Sequence, residues 1–265
     1  RLTPDGVQLI GRRVDEQSEF VVSRDNWFRP AQFACGPDGA LSIVDVYREV
    51  IEHPKSLPPD IKRHLDLTSG RDRGRIYRVV PAGYSHRKTP DLTTIDSESL
   101  VDFLRHPNAW HRETSSRLIY QRQDHSIEEA LRRPADQCDD PRGRLHSLYA
   151  LAGLGRLQSG DLIQRLADSH PQVVRHAIRL SERYNSDPAV IAAFRPLQRP
   201  ASIDVRYQLA IRLGEIPIDD RSDWLADLVR QDPTDRWIQT AASSSAGDAP
   251  ERLFESLLQS ESIDA

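Results

Sequence analysis

Lysine and cysteine are both scarce in this sequence of 265 residues. Lys55, Lys62 and Lys88 are the only lysines among 36 basic residues, which leaves few candidates for catalysis by an amine or a Schiff base. The two cysteines, Cys35 and Cys138, allow one disulfide at most. They form neither a Cys-x-x-Cys metal clip nor a Cys-x-x-Cys-His haem attachment motif, so covalent attachment of haem c is excluded.

Other signals are also missing. No apolar run approaches the roughly 20 residues needed to cross a bilayer. The net charge of −4 predicts no general attraction to nucleic acid, and no Gly-x-Ser-x-Gly motif indicates a nucleophile with its base. The sequence starts at Arg1 without a signal peptide. We expect a piece of a longer protein, so a missing targeting signal says nothing about location.

The stretch Asn26–Tyr47 predicts a β-hairpin. Its turn sequence is Gly36-Pro37-Asp38-Gly39, where proline fixes φ near about −65° and glycine reaches angles that other residues avoid. Two strands this short cannot fold alone, so the hairpin must belong to a larger sheet. Around it, strands are predicted at Val7–Ile10, Glu19–Val22 and Arg75–Val80, and short helices at Arg48–His53 and Pro59–Leu65.

The pattern changes after a polar connector. From Ser97 onward apolar residues recur at helical spacing, and segments with a turn sequence are repeated along the chain. We therefore predict a β segment over residues 1–82, a linker over 83–96 and a helical repeat domain over 97–265. The fold class is mainly α, with a small antiparallel β segment in front.

Five arginines mark the repeats at intervals of 32, 31, 31 and 30 residues: Arg112, Arg144, Arg175, Arg206 and Arg236. Two helices in each period of about 30 residues predict a HEAT-like α-α superhelix, an α-solenoid of the armadillo type. The arginines either present a ladder of guanidinium groups to an acidic peptide or a phosphate, or pair with groups inside the stack. The carboxylates available for such pairs are Asp140, Asp168, Asp204 and Asp232. Repetition in every unit favours the structural role.

Two histidine pairs and one acidic loop are candidates for metal binding. His106 and His111 are five residues apart and His170 and His176 six, whereas a zinc-binding pair on one helix face is separated by three or four. The loop Asp66–Gly74 lacks the spacing of an EF-hand. We interpret all three as turn and helix residues.

Several segments carry a resemblance to a known family. They are Trp27–Pro30, Gly36–Leu41, Val44–Arg48, Ile51–Pro54, Asp72–Arg78, His106–Thr114, and Trp237 with Ala241–Ser245. They resemble the bacterial family of membrane-bound dehydrogenase-like proteins, which combine a sorbosone-dehydrogenase-like β-propeller, HEAT repeats and a c-type cytochrome. The first five segments are similar to the last propeller blade, and the others to HEAT units. Most of the propeller and the haem motif have no counterpart here, and Val46 stands where the family has Met.

The resemblance implies a parent protein that is periplasmic, secreted or envelope-associated, with a quinone-type cofactor in the propeller and haem c in the tail. For this chain it implies no bound cofactor and no catalytic residue, with Arg29 and Asp45 as the only candidate cofactor contacts. We expect a non-catalytic fragment whose repeats act as a scaffold for a protein partner or for the remaining propeller domain. The alternatives are a stand-alone HEAT-repeat binding module with a vestigial β cap, and quinone-dependent sugar or alcohol dehydrogenase activity in the full-length parent.

Overall fold

The computed structural model describes residues 1–86, 88–199 and 202–259. Within these residues a small N-terminal antiparallel β region precedes a mostly helical part, with five strands and twelve α-helices in all. The chain divides into two compact units. The sheet unit comprises Val14–Ile95 and His106–Ser115. The helical unit comprises Arg1–Arg13, Asp96–Arg105 and the described residues from Ser116 onward.

The sheet unit contains one antiparallel sheet of three strands in the order β3–β4–β5. These strands are Pro30–Cys35, Leu41–Asp45 and Arg75–Val79. The β3–β4 connection is the predicted turn, in which the Gly39 N–H donates to the Gly36 carbonyl over 3.0 Å and Gly39 has a φ of +83°. The predicted hairpin and the returning strand at Arg75 are therefore confirmed.

Two predictions in this region are wrong. Glu19–Val22 forms no strand, because no neighbouring strand accepts it, and Phe20 is left 74% exposed. Arg48–His53 forms no helix; the residue before a proline is driven to extended angles, and His53 has φ −64° and ψ 131°. A 3-10 turn, Pro54–Ser56, follows, and the predicted helix at Pro59–Leu65 is present as α1, Pro59–Lys62.

A second hairpin, β1 at Leu2–Asp5 with β2 at Gln8–Gly11, belongs to the helical unit. β2 corresponds to the predicted strand at Val7–Ile10, whereas β1 was not predicted. The Val7 N–H donates to Asp235 Oδ2 over 3.0 Å, and a Cβ at Gly6 would lie 2.1 Å from the same oxygen. The predicted β segment 1–82 is therefore divided between the two units.

The helical prediction from Ser97 onward is confirmed. The helices are α2 Ser97–Phe103, α3 Ala109–Arg122, α4 Glu128–Gln137, α5 Pro141–Gly153, α6 Ser159–Leu166, α7 Pro171–Leu180, α8 Pro188–Ala193, α9 Ile203–Leu213, α10 Arg221–Gln231, α11 Arg236–Ser245 and α12 Pro250–Gln259. Carboxylates at the N-caps of α2, α5, α8 and α11 accept first-turn N–H groups. Proline occupies the first position of α5, α7 and α8, where its missing N–H has no cost.

Alternate helices of the helical unit pack as neighbours. α5 lies against α7, α7 against α9 and α9 against α11, while α6 lies against α8 and α10 against α12. A continuous core of buried aliphatic and aromatic side chains joins them, including Leu148, Ile178, Phe194, Leu209 and Leu225. None of the helices in the described part of the chain is long and apolar enough to cross a membrane.

Candidate functional site

The end of strand β4 holds both residues that the sequence nominates for cofactor contact, Arg29 and Asp45. Asp45 is only 1% exposed, and its Oδ1 accepts the N–H of Arg29 over 2.8 Å and that of Tyr47 over 2.9 Å. The Arg29 guanidinium donates to the Glu49 carbonyl over 3.2 Å. Asp45 therefore acts as an acceptor for the backbone that closes the strand end, a role a carboxylate fills because it is acceptor-only.

Tyr47 follows Asp45 and has a φ of +46°, a conformation that costs energy for a residue with a Cβ. Several contacts hold it there. Its hydroxyl donates to Asp25 Oδ2 over 2.8 Å, and the Arg75 guanidinium lies 3.9 Å from its ring centroid. Gly70 approaches from another side, and a Cβ there would lie 2.3 Å from the Tyr47 carbonyl oxygen. Strain of this kind is kept only where surrounding contacts determine the conformation.

Hydrogen bonds at this strand end shift the pKa values of Asp25 and Tyr47 in opposite directions. The backbone N–H of Trp27 and then the Tyr47 hydroxyl hold the pKa of Asp25 below its usual value. The same hydrogen bond to Asp25 raises the pKa of Tyr47. Tyr47 therefore stays protonated and Asp25 stays ionised near neutral pH, so the pair serves as a fixed donor and acceptor and Tyr47 is unsuited to act as a base.

The quinone-type cofactor that the resemblance implies for the parent stays a prediction at Arg29 and Asp45. Asp45 Oδ1 accepts two backbone N–H groups, whereas Asp45 Oδ2 and Arg29 Nε are buried and have no hydrogen-bond partner among the described residues. Among the residues that the structure describes, no group of three or more His, Cys, Asp or Glu side chains could hold a metal ion. In the loop Asp66–Gly74, the Asp66 Oδ1 accepts from Thr68 N and Oγ1 over 2.9 and 2.7 Å, as in an ordinary Asx turn.

The start of α3 holds the β3–β4 turn inside the sheet unit. The Asn108 side-chain amide donates to the Gly36 and Pro37 carbonyls over 2.9 and 3.2 Å, and His111 Nε2 donates to the Pro37 carbonyl over 2.9 Å. The His106 ring lies 4.1 Å from the His111 ring, and its Nδ1 accepts the Asn108 N–H. Two segments that share the family resemblance thus contact each other, and the histidine pair belongs to this turn contact.

Three of the five repeat arginines occupy one structural position, four residues after the N-cap of their helix. Arg112 Nη1 donates to the carbonyls six and five residues earlier over 2.6 and 2.9 Å, and Arg144 Nη1 does the same over 2.7 and 3.1 Å. Arg144 also pairs with Asp168 through two contacts of 2.8 and 2.7 Å. Arg206 pairs with Asp232 over 2.6 and 2.9 Å. The Arg144–Asp168 and Arg206–Asp232 pairs thus connect segments that are 24 and 26 residues apart in the sequence.

The other two arginines lie elsewhere on their helices. The equivalent positions hold the buried Val174 in α7 and Gln239 in α11, and the Gln239 amide donates to the carbonyl six residues earlier over 2.6 Å. Arg175 is one residue further along and half-buried, and Arg236 stacks on Trp237 at 4.8 Å. The predicted repeat turn that leads to Arg206 includes Pro200 and Ala201, which lie outside the described residues.

The sequence did not predict that Asp25, Trp27 and Arg75 lie around Tyr47 at the end of β4. The spacing Asp25-x-Trp27 was the available signal, because an aspartate that accepts an N–H two residues on marks an Asx turn. In the helical unit the sequence did not indicate Arg165, which is almost fully buried and donates to Asp168 over 3.1 Å. An arginine inside an amphipathic helix gives no local sign of burial.

A family model described as "Domain of unknown function (DUF7133)" matches residues 1–83. The match covers the β1–β2 hairpin and all three strands of the sheet unit, and it ends within the connector before α2. No curated protein shows a significant match to the chain. The similarity therefore concerns the β region, and the helical part is interpreted from its own geometry.

Proposed function

We propose that this chain is a non-catalytic scaffold for protein binding, built as a HEAT-like α-solenoid behind a β segment similar to a terminal propeller blade. Support for the repeat class comes from the recurring turn contact of Arg112, Arg144 and Gln239, each of which donates to the carbonyl six residues earlier. A turn contact that recurs at one structural position is typical of a stack of similar structural repeats.

The observation that carries the proposal is how the helical unit uses its charges. Buried ion pairs such as Arg144–Asp168 connect one hairpin to the next, so the stack is held in one arrangement. By contrast, two tyrosine side chains remain accessible to solvent, Tyr120 of α3 at 61% and Tyr149 of α5 at 36% exposed. A rigid stack that displays aromatic residues suits protein recognition, because tyrosine is enriched at interfaces.

The sheet unit supports a second binding role within the same proposal. All six residues of β3 and four of the five residues of β5 are exposed, including Ile76 at 71%. Edge strands of this kind accept further strands. We propose that strands of a propeller, in the same polypeptide or in a partner, complete this sheet, and that the parent is periplasmic, secreted or envelope-associated as the resemblance implies.

Photo-crosslinking in the native host tests the scaffold function. A photoreactive amino acid replaces Tyr120 or Tyr149 in the full chain, and the control position is Glu129, an exposed residue of α4. We expect the same partner to be captured from both tyrosine positions and not from Glu129. Capture of unrelated proteins at all three positions, or of none at the two tyrosines, would contradict the proposal.

A further inference from the structure

Helix α7 displays two arginines that have no anion. Among the described residues, neither Arg175 nor Arg179 forms an ion pair or a side-chain hydrogen bond. They are four residues apart, so they lie on the same face of the helix, with about 6 Å between their Cβ atoms. The opposite side of α7, with Val173, Val174, Ala177 and Ile178, is fixed in the core. The two guanidinium groups therefore extend from a rigid base.

In the described part of the chain, no carboxylate pairs with either guanidinium group. Arg144 and Arg206 each pair with an aspartate, Asp168 and Asp232 respectively. The aspartate on the adjacent helix α9, Asp204, accepts from the Gln172 amide over 2.9 Å. The arginines of α7 thus differ from the paired arginines of the stack, although Arg is well suited to bind a carboxylate through its planar fork.

An aromatic pair adjoins the arginines. The Tyr149 hydroxyl and His176 Nδ1 are hydrogen-bonded at 2.8 Å, and their rings meet edge to face at 5.6 Å. Burial and then the nearby Arg175 and Arg179 lower the pKa of His176. The histidine therefore remains neutral near pH 7. The charges that act on Tyr149 are those of Arg175, Arg179 and Glu182, which lies just after α7. Two positive charges and one negative charge leave this face with a net positive charge.

We propose that Arg175, Arg179 and Tyr149 form a docking site for an extended acidic segment of a partner protein. Carboxylates two residues apart on an extended chain are separated by about 6.6 Å and lie on one side, which matches the two arginines. The tyrosine ring then contacts the segment next to the bound carboxylates. This inference rests on the proposed scaffold function and specifies the face and the chemistry of the partner.

Fluorescence anisotropy of labelled peptides tests the site. The probe is a short peptide with alternating Glu and Ala, and its matched control replaces each Glu with Gln. Arg175→Gln and Arg179→Gln should each weaken binding of the Glu peptide about fivefold, the size expected for loss of one exposed ion pair. Arg252→Gln on α12 makes the same charge change at another exposed position and should leave binding unchanged. Raising the salt concentration should weaken binding of the Glu peptide.

Several outcomes would overturn the inference. They are equal binding of the Gln peptide, an equal loss in Arg252→Gln, and no binding of the Glu peptide at low salt. Tighter binding of single-stranded DNA than of the Glu peptide would also overturn it, since the face would then be a general polyanion site. If Tyr120 and Tyr149 still capture one partner while the Glu peptide fails, only the acidic-segment inference is lost. If both experiments fail, the scaffold function is lost as well.

Discussion

The helical unit and the sheet unit differ in how much of their helices and strands is buried. In the helical unit, neighbouring helices bury a continuous core, and the buried Arg144 of α5 pairs with Asp168, which precedes α7. In the sheet unit the central strand β4 is largely covered, whereas β3 and β5 are open on their outer sides. The helical unit is therefore stabilised by many distributed contacts, and the sheet unit depends on a few specific ones at Asp45, Tyr47 and the β3–β4 turn.

The largest effect is expected in the helical unit from Asp168→Ala. It leaves the buried guanidinium of Arg144 without its carboxylate, and removing one partner of a buried pair costs about 3 to 5 kcal/mol. Urea unfolding followed by the helical circular dichroism signal measures the loss. Asp102→Ala is the control, because its pair with Arg105 is exposed and should contribute about 0.5 kcal/mol or less. Equal losses in both variants would show that the Arg144–Asp168 pair does not hold the hairpins together.

The next effect is expected in the sheet unit from Gly70→Ala. The new Cβ would lie 2.3 Å from the Tyr47 carbonyl at a φ of +84°, so steric overlap adds to backbone strain, and we expect a loss of about 3 kcal/mol. Gly39→Ala is the matched control, with a φ of +83° and no atom within 4 Å of the new Cβ; it should cost about 1 to 2 kcal/mol. Hydrogen exchange of β4 and β5 amides reports both. A Gly70→Ala variant no less protected than Gly39→Ala would rule out the tight contact with Tyr47.

A smaller effect is expected from pH. Burial, and then the charge of His111, lowers the pKa of His106. The unfolded chain therefore takes up this proton at a higher pH than the folded chain. The contribution of His106 to the stability of the sheet unit is complete above the usual histidine pKa. It decreases as pH drops below about 6.5, and it stops changing once the histidine of the folded protein is also protonated.

His106→Asn tests this pH dependence, because an amide oxygen can accept the Asn108 N–H without titrating. Protection of the Asn108 and Gly39 amides against hydrogen exchange, measured between pH 7 and pH 5, should fall in the original protein and much less in the variant. An identical fall in both would assign the dependence to other groups. His176 in the helical unit also has a lowered pKa, so the helical unit should lose stability over the same fall in pH in both proteins.

The smallest effect on stability is expected at the open strands. Ile76→Lys and Phe33→Lys alter side chains that are largely exposed, so each should change the free energy of unfolding by about 0.5 kcal/mol or less. Self-association at high concentration, measured by sedimentation velocity, should nevertheless decrease, since lysine on an edge strand opposes pairing. Phe254→Lys on α12 is the control. If it reduces association as much as the strand variants do, the strands are not the contacting surface.

Elements with strong local signals could be predicted from the sequence. The turn Gly36–Gly39 and the strands beside it carry their own conformational preferences, and the helices after Ser97 carry their period. Glu19–Val22 could not be predicted, because an apolar run forms a strand only when another strand accepts its hydrogen bonds, and this depends on the tertiary fold. β1 was missed because its sequence, which includes Pro4, gives a weak strand signal.

The structural roles of single residues in the candidate sites were also hard to predict from the sequence. The interval of 31 residues between Arg144 and Arg175 is regular, yet one residue turns a side chain by about 100° around a helix, and Val174 takes the inner position. Polarity at a strand end indicated Asp45, but its burial under two backbone N–H groups depends on Arg29, sixteen residues away. The positive φ of Tyr47 has no sequence signal, since tyrosine rarely adopts it.

The hydrogen bond from Val7 to Asp235 has a consequence for protein synthesis. Asp235 Oδ1 caps its own helix by accepting the N–H groups of Trp237 and Ile238. Asp235 Oδ2 accepts the N–H of Val7, which is 228 residues earlier in the chain. The first hairpin leaves the ribosome long before its acceptor is made. It must remain unattached while the intervening helices fold, and it docks only when Asp235, at the start of α11, has emerged. The earliest residues of the helical unit are thus among the last to be ordered.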